Sequence, residues 1–497
     1  MIARRGLIRS FLTGLAALLP APSRAADNAP PASPANIRSV QQAVWRSYYE
    51  GTRVWGYVDK HSINPGEPFN IMLSTGPSRK HVRGRVEIFR IGHYPDDDRE
   101  LVWTAEDVEV FQEEVQMTAS SMGAGWPTAV EGVETDGWRS GYYTVDFIDG
   151  VDGQRDLNVA YIVATNPAKS GDILFELSTN TYQAYNQWGG SSLYESAFVG
   201  DRAQMVSFDR PTPPDFFEYE YYFVLWLEKV AAEHNLTIDY ATNFDVYRDS
   251  TFAERCRLFI SGSHNEYWSK EEFDVLYRRI FELGKNTMFL GANTAYWQVR
   301  YADIDSPGGD ASRGRQLICY KSLDDPCRQR ADPKQGMLLV TAQFRDEARR
   351  PETMLMGVAY QNYFSPQSDL KFPYFVSRTD LPFFEGIGYQ KGDAIGNIVG
   401  YEWDNTDPNG DGKRLWDPEK SQIPPIEPRS IKVVFTGSPV DLNGKQGKAE
   451  VIYFNSETGA KVFSTGSIRW AWGMGKPHFE EEKFKKFNLN LLMHLLQ

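Results

Sequence analysis

The chain has 497 residues, of which 41% are apolar and 14% aromatic, and its formal net charge is −13. That length exceeds what one hydrophobic core organises, and the apolar content can fill two, so a two-domain globular protein is expected and a disordered chain is excluded. An acidic balance of this size excludes nucleic acid as a partner on electrostatic grounds.

Residues 1–25 read as an export leader. Arg4 and Arg5 precede the apolar run Phe11 to Leu19, followed by Pro20, Pro22 and the small-residue site Ser23-Arg24-Ala25. The paired arginines before Gly6, Leu7 and Ile8 suit twin-arginine export, with an ordinary secretory leader as the alternative. A periplasmic or secreted protein is therefore expected. The run is shorter than the roughly 18 residues a membrane helix needs, and no later stretch approaches that, so no membrane span is expected.

Residues 26–40 are rich in Ala, Pro and Asn and read as a flexible leader without a core of its own. Over residues 41–166, short alternating runs such as Gly84 to Ile91 and Tyr142 to Ile148 are separated by Gly, Pro and Asp turns, which predicts an Ig-like β-sandwich. From residue 167 to 497 the rhythm changes. A strand over Asp172 to Leu177, a helix over Tyr219 to His234, a strand over Leu258 to Ser261 and a helix over Lys270 to Gly284 predict a larger α/β domain on an open, mostly parallel sheet. Cys319 and Cys327, eight apart in a polar stretch, are expected to pair outside the cytoplasm, and Cys256 to pack inertly.

In an open α/β sheet the ligand site lies beyond the carboxyl ends of the strands. The first motif placed there is Ser178 to Gly190, which offers Tyr185, Asn186 and Trp188 as substrate-binding groups against a reading in which they merely shape a turn. The second is Ser261-Gly262-Ser263-His264-Asn265-Glu266-Tyr267-Trp268-Ser269, with His264 and Glu266 as acid–base candidates, Asn265 and Trp268 as substrate contacts, and Ser269 as a helix cap. It lacks the Gly-x-Ser-x-Gly spacing and has no cysteine in the turn, so a nucleophile elbow is excluded. The third is Arg349-Arg350-Pro351-Glu352 before an apolar stretch, and Glu402 and Asp404 end a further strand. Asp407-x-Asn409-x-Asp411-Gly412 opens like a calcium loop, but position twelve is Pro418.

Taken together, Thr181 to Asn186 with Gly189-Gly190, Trp226 to Glu228, Gly262 to Trp268 and Arg350 to Glu352 before Gly357-Val358 resemble the N,N-dimethylformamidase large-subunit family. Ile91 to Tyr94 and Trp138 to Tyr143 extend the resemblance over nearly the whole mature chain. It implies a glutamine-amidotransferase-like fold without the cysteine, and a mononuclear iron held by two tyrosines and a glutamate. Carried onto this sequence, the ligands are Tyr267, Tyr222 and Glu352, with Tyr221, Tyr185 and Tyr240 as alternatives for the second phenol and Glu347 for the acid.

Phenolate and carboxylate are hard oxygen ligands suited to such an ion. It would polarise an amide carbonyl or activate water while His264, Glu266 or Glu402 moves the proton. The implied function is an exported hydrolase of a small amide, with a homo-oligomer compatible. A non-catalytic carbohydrate- or peptide-binding protein is the main rival, and a Ser-His hydrolase on Ser261 or Ser263 the other.

Overall fold

The computed structural model describes residues 53–76, 79–166, 171–195, 202–212, 215–303, 312–321, 324–330, 332–346, 350–410 and 431–497. The leader of 1–25, the stretch 26–40, Glu347 and the calcium-like segment from Asp411 onward lie outside these residues. Among the described residues no helix is long and apolar enough to cross a membrane.

Two sheets form the N-terminal part. One has three antiparallel strands in the order Val54–Val58, Phe69–Thr75, Thr128–Val133. The other has five, in the order Ser62–Ile63, Arg155–Ala164, Gly141–Asp149, His81–Ile91, Arg99–Phe111. Both sheets contribute to one apolar core that includes Val54, Ile71, Leu73, Val86, Ile88, Val145, Phe147 and Ile162. These β-branched and aromatic side chains suit a pleated, half-buried surface.

The larger part centres on nine strands in the order Ile238–Thr242, Ile173–Leu177, Leu258–Ser261, Asn286–Phe289, Lys461–Ser464, Ala449–Asn455, Lys432–Gly437, Phe372–Val376, Ala394–Val399. The first five pair in parallel, and the remaining four continue the sheet antiparallel. Among the described residues strand outweighs helix, 35% against 22%, and the sheets are mixed and largely antiparallel. This corrects the expectation of an α/β domain on a mostly parallel sheet.

The reason lies in the connections, because parallel neighbours need a crossover of a dozen or more residues, usually a helix. The chain supplies one twice: Tyr221–His234 leads into Ile238–Thr242, and Lys270–Phe281, capped by Ser269 Oγ accepting from Glu272 N at 3.0 Å, leads into Asn286–Phe289. Between Phe372 and Ser464 no α-helix occurs among the described residues. There a tight turn from Asn455 to Lys461 forces antiparallel return.

The expected cysteine pair is also corrected, since Cys256, Cys319 and Cys327 are all free and buried. Cys319 packs in the apolar cluster with Tyr267 and Tyr301, whereas Cys327 belongs to the short helical turn Pro326–Gln329.

The two parts are tied by a buried ion pair. Arg90 on His81–Ile91 sends Nη2 to Glu228 Oε1 at 2.7 Å and Nη1 to Oε2 at 3.2 Å, and Tyr240 Oη donates to the same carboxylate at 2.9 Å. Beside it Tyr142 stacks on Phe216 with centroids 3.9 Å apart. Replacing Arg90 by Ala leaves Glu228 desolvated without its cation and should cost about 3–5 kcal/mol. Denaturant unfolding would measure this, and Arg90→Lys should recover only part, because a point charge cannot engage both oxygens as the guanidinium fork does.

Candidate active site

The strand Leu258–Ser261 ends at Gly262, and the chain turns at once into Ser263, His264, Asn265 and Glu266. Only glycine fits the turn: a Cβ at 262 would collide with Glu220 Oε1 and lie 2.7 Å from Ser178 Oγ and 2.8 Å from Glu176 O. Glu220, fully buried, accepts from Ser178 N at 3.1 Å, from Ser178 Oγ at 2.7 Å and from the Tyr182 hydroxyl. Under the loop, Asn265 Nδ2 donates to Glu176 Oε2 at 2.8 Å and Ser261 Oγ at 3.0 Å, while Asn243 Nδ2 donates to Asn265 Oδ1 at 2.9 Å and Glu272 Oε1 at 3.0 Å. Buried hydrogen-bond networks of this kind hold a loop in one conformation.

Held this way, His264 stands between two carboxylates. Its Nε2 is 3.5 Å from Glu266 Oε2 and 3.6 Å from Glu402 Oε2, longer than hydrogen bonds and within ion-pair range. Glu402 arrives from the antiparallel pair Ala359–Tyr363 and Glu402–Asn405, whose Trp403 bridges to Ser467 just beyond the strand Lys461–Ser464. The bend before it requires Gly400, with φ 102° and Phe364 against the position of a Cβ. Tyr185 Oη donates to Glu266 Oε2 at 2.6 Å. The rings of Tyr185 and Tyr219 lie 5.3 Å from the imidazole and that of Tyr401 lies 6.3 Å away. Both ring nitrogens of His264, Glu402 Oε2, Ser263 Oγ, Asn293 Oδ1 and Thr294 Oγ1 are buried without a hydrogen-bond partner among the described residues.

Burial pushes the Glu402 carboxyl up to about 8, His264 opposing and Glu266 adding to the rise. Burial likewise moves Asp404 up to about 7, against the pull of the Asn293 N–H and Arg345. At His264 burial works against protonation, yet its bond to Glu266 and the charge of Glu402 prevail and hold the imidazole above its ordinary value. Desolvation takes Tyr185 and Tyr401 far above the usual phenol range. The pair His264 and Glu402 therefore retains a proton near neutral pH, next to a carboxylate that can accept one.

Of the expected acid–base groups, His264, Glu266 and Glu402 come together. Of the expected substrate contacts, Tyr185 faces His264, whereas four turn elsewhere. Asn186 Nδ2 donates to Pro211 O at 2.9 Å, Trp188 packs edge-on to Trp126, Asn265 points beneath the loop, and Trp268 lies in an apolar core near Phe289.

The three expected metal ligands have other surroundings. Tyr267 Oη accepts from Lys321 Nζ at 2.6 Å, and Glu352 is bonded by Arg345 Nε at 3.0 Å and Nη2 at 2.8 Å. Tyr222 is half-buried next to Tyr221 and Gly475. Tyr240 serves Glu228, and Tyr221 bonds Asp98. Tyr219, Tyr401, Asn293 and Lys321 were not expected. Asn293 follows the strand Asn286–Phe289 and was open to the same strand-end rule that found His264.

A separate recess of about 390 Å³, counting its open mouth, lies between the two parts and is lined by Tyr57, His61, Tyr161, Arg210 and Arg315 among others. Its charged groups are already engaged: His61 Nε2 contacts Gly314 O at 2.8 Å, Arg315 pairs with Asp209 at 2.8 Å and Lys60 with Glu67 at 2.6 Å. It brings together no acid–base pair comparable with His264 and Glu402.

The family model described as N,N-dimethylformamidase beta subunit-like, C-terminal, matches residues 85–483. No curated protein matches the chain.

The buried carboxyls Glu176 and Glu402 at about 8, and Glu220 and Asp404 at about 7, all sit above the ordinary acid range because burial disfavours their charge. Their folded pKa values exceed the unfolded ones. Their contribution to stability is thus fully present below about pH 4.5 and is lost as pH rises through 7 to 8. The urea midpoint should fall between pH 6 and 9, and Glu402→Gln should flatten that fall; a midpoint that rises over this range contradicts the assignment.

Proposed function

The chain belongs to the N,N-dimethylformamidase beta subunit-like family, and on that premise we propose that it hydrolyses the carbon–nitrogen bond of a small amide at His264, Glu266 and Glu402. The observation that carries this reading is the imidazole held 3.5 Å and 3.6 Å from two carboxylates, with unpartnered polar atoms around it. In the reaction water adds to the carbonyl carbon, the C–N bond breaks, and the proton leaving the water ends on the departing amine. Glu266, relieved of the Tyr185 hydroxyl, accepts that proton while the proton shared by His264 and Glu402 is delivered to the nitrogen, which is poor as a leaving group until protonated; Glu266 then passes its proton to His264, 3.5 Å away, and the starting state is restored. The rings of Tyr185, Tyr219 and Tyr401 keep bulk water away and strengthen these charge interactions. Export through the leader of residues 1–25 is part of the same proposal.

The iron implied by the family likeness needs anionic oxygens. Tyr267 and Glu352 have Lys321 and Arg345 where a metal cation would bind, so in this arrangement they do not fit one. Among the described residues no three side chains of His, Cys, Asp and Glu are arranged to hold a metal ion, the cluster of His264, Glu266 and Glu402 included. Of the alternatives for the second phenol, Tyr240 and Tyr221 bond Glu228 and Asp98 away from the cluster, whereas Tyr185 bonds a carboxylate within it, Glu266 at 2.6 Å. Tyr185 is thus the phenol that would hold the iron, with Glu266 left as the proton acceptor, and bound there it would polarise the amide carbonyl.

Dimethylamine release from N,N-dimethylformamide provides the test. His264→Gln and Glu402→Gln should each lower kcat by about 10²–10⁴-fold, and unchanged rates would exclude the cluster. Iron content measured by elemental analysis should fall in Tyr185→Phe and persist in Tyr222→Phe; the reverse pattern would reinstate Tyr222.

A further inference from the structure

Beyond the acid–base cluster, the wall next to Tyr185 carries two cations, Lys321 and Arg202, with no acid at ion-pair distance among the described residues. Lys321 Nζ lies 4.6 Å above the ring of Tyr194, 5.0 Å from that of Tyr267 and 4.7 Å from that of Trp297, and its one hydrogen bond goes to Tyr267 Oη. Among the described residues no carboxylate comes within ion-pair distance of it. Arg202 adds a second cation: Nη2 donates to Tyr320 O at 2.8 Å, while its buried Nε has no hydrogen-bond partner among the described residues. The charges of Lys321 and Arg202 both bear on the thiol of Cys319, which places the two cations around one residue. Burial depresses the Lys321 ammonium and the charge of Arg202 adds to this, while the charges of Glu266 and Cys319 act against it without overcoming it.

This wall adjoins the reaction centre. Tyr194, 49% exposed, stacks on Tyr185 at 5.1 Å, and Tyr185 contacts both Glu266 and His264. A molecule entering past Tyr194 would therefore meet Lys321 on one side and the acid–base cluster on the other. The chain as a whole is acidic, so this is not a patch of general surface basicity. Holding a desolvated ammonium with unused donors costs free energy unless an anion supplies the missing partner. An aromatic cage alone fixes the cation in place but leaves its N–H groups unsatisfied.

We propose that Lys321, flanked by Arg202, receives a carboxylate of the substrate, so that the amide cleaved at His264 and Glu402 is one bearing an anionic group. This rests on the hydrolase reading above and narrows it from small amides to those with a carboxylate a few bonds from the scissile carbonyl.

Equilibrium binding to the full chain by calorimetry separates the inference from that reading, because it does not require turnover. The probes are N-formylglycine and its neutral isostere N-formylglycinamide. The carboxylate should bind at least about tenfold tighter, the scale of one charged hydrogen-bonded contact. Lys321→Met should collapse the preference to within about twofold, and Lys321→Arg should keep most of it. Equal or undetectable binding of both probes, a preference that survives Lys321→Met, or inorganic phosphate binding more tightly than N-formylglycine would each overturn the proposal. A preference that is intact in a chain unable to release amine would strike the hydrolase reading and leave the anion site standing.

Discussion

A carboxylate buried directly beneath a glycine turn sets the position of every group at the site. Glu220 occupies the space that any side chain at 262 would fill, and it is held there by donors from Ser178 and Tyr182 rather than by a cation. A buried acid satisfied by hydroxyl and backbone donors resists displacement, because losing one donor costs the full desolvation of the group. The strand Leu258–Ser261 therefore breaks at one place only, and the four residues that follow point where the network under Asn265 directs them.

The mixed sheet then does what a fully parallel one would not. Its parallel half delivers His264 and Glu266 from the carboxyl end of a central strand, in the usual location for a ligand site in such sheets. Its antiparallel half folds the later chain back over that end, so that the pair Ala359–Tyr363 and Glu402–Asn405 brings Glu402 to the imidazole and sets Asp404 to accept the N–H of Asn293 at 2.9 Å. The acid–base cluster is a junction between the two halves. The N-terminal sheets contribute through Arg90 and Glu228, which fix the helix Tyr221–His234 and with it the neighbouring Glu220 and Tyr219.

Much of this was legible in the residues. The strand Leu258–Ser261, the helix capped by Ser269 and the acid–base trio His264, Glu266 and Glu402 follow from apolar runs ending in polar clusters, and the structure places them together. Sheet direction beyond Phe289 was not legible from the early βα rhythm, because direction depends on whether a helix occupies each connection, and from Phe372 to Ser464 no α-helix occurs among the described residues. Nor could sequence say which way a polar side chain turns after a strand end. Asn265 looks as suitable for substrate as His264, but alternate residues of an extended loop face opposite sides, and Asn265 faces the buried acid Glu176 and the amide of Asn243. Tyr267 and Glu352 follow from the family resemblance of their motifs, and what sequence concealed was the cation already lying beside each, Lys321 and Arg345. Neither lies close enough in sequence to its partner to be recognised by helical or strand spacing.

The most direct measurement is a crystal structure of the protein soaked with N,N-dimethylformamide. Density for the amide is expected between His264, Glu402 and the ring of Tyr185, with its carbonyl or nitrogen in hydrogen-bond reach of the imidazole. Density confined to the recess lined by Tyr57, His61, Tyr161 and Arg315, with the imidazole untouched, would contradict the assignment of the reacting centre.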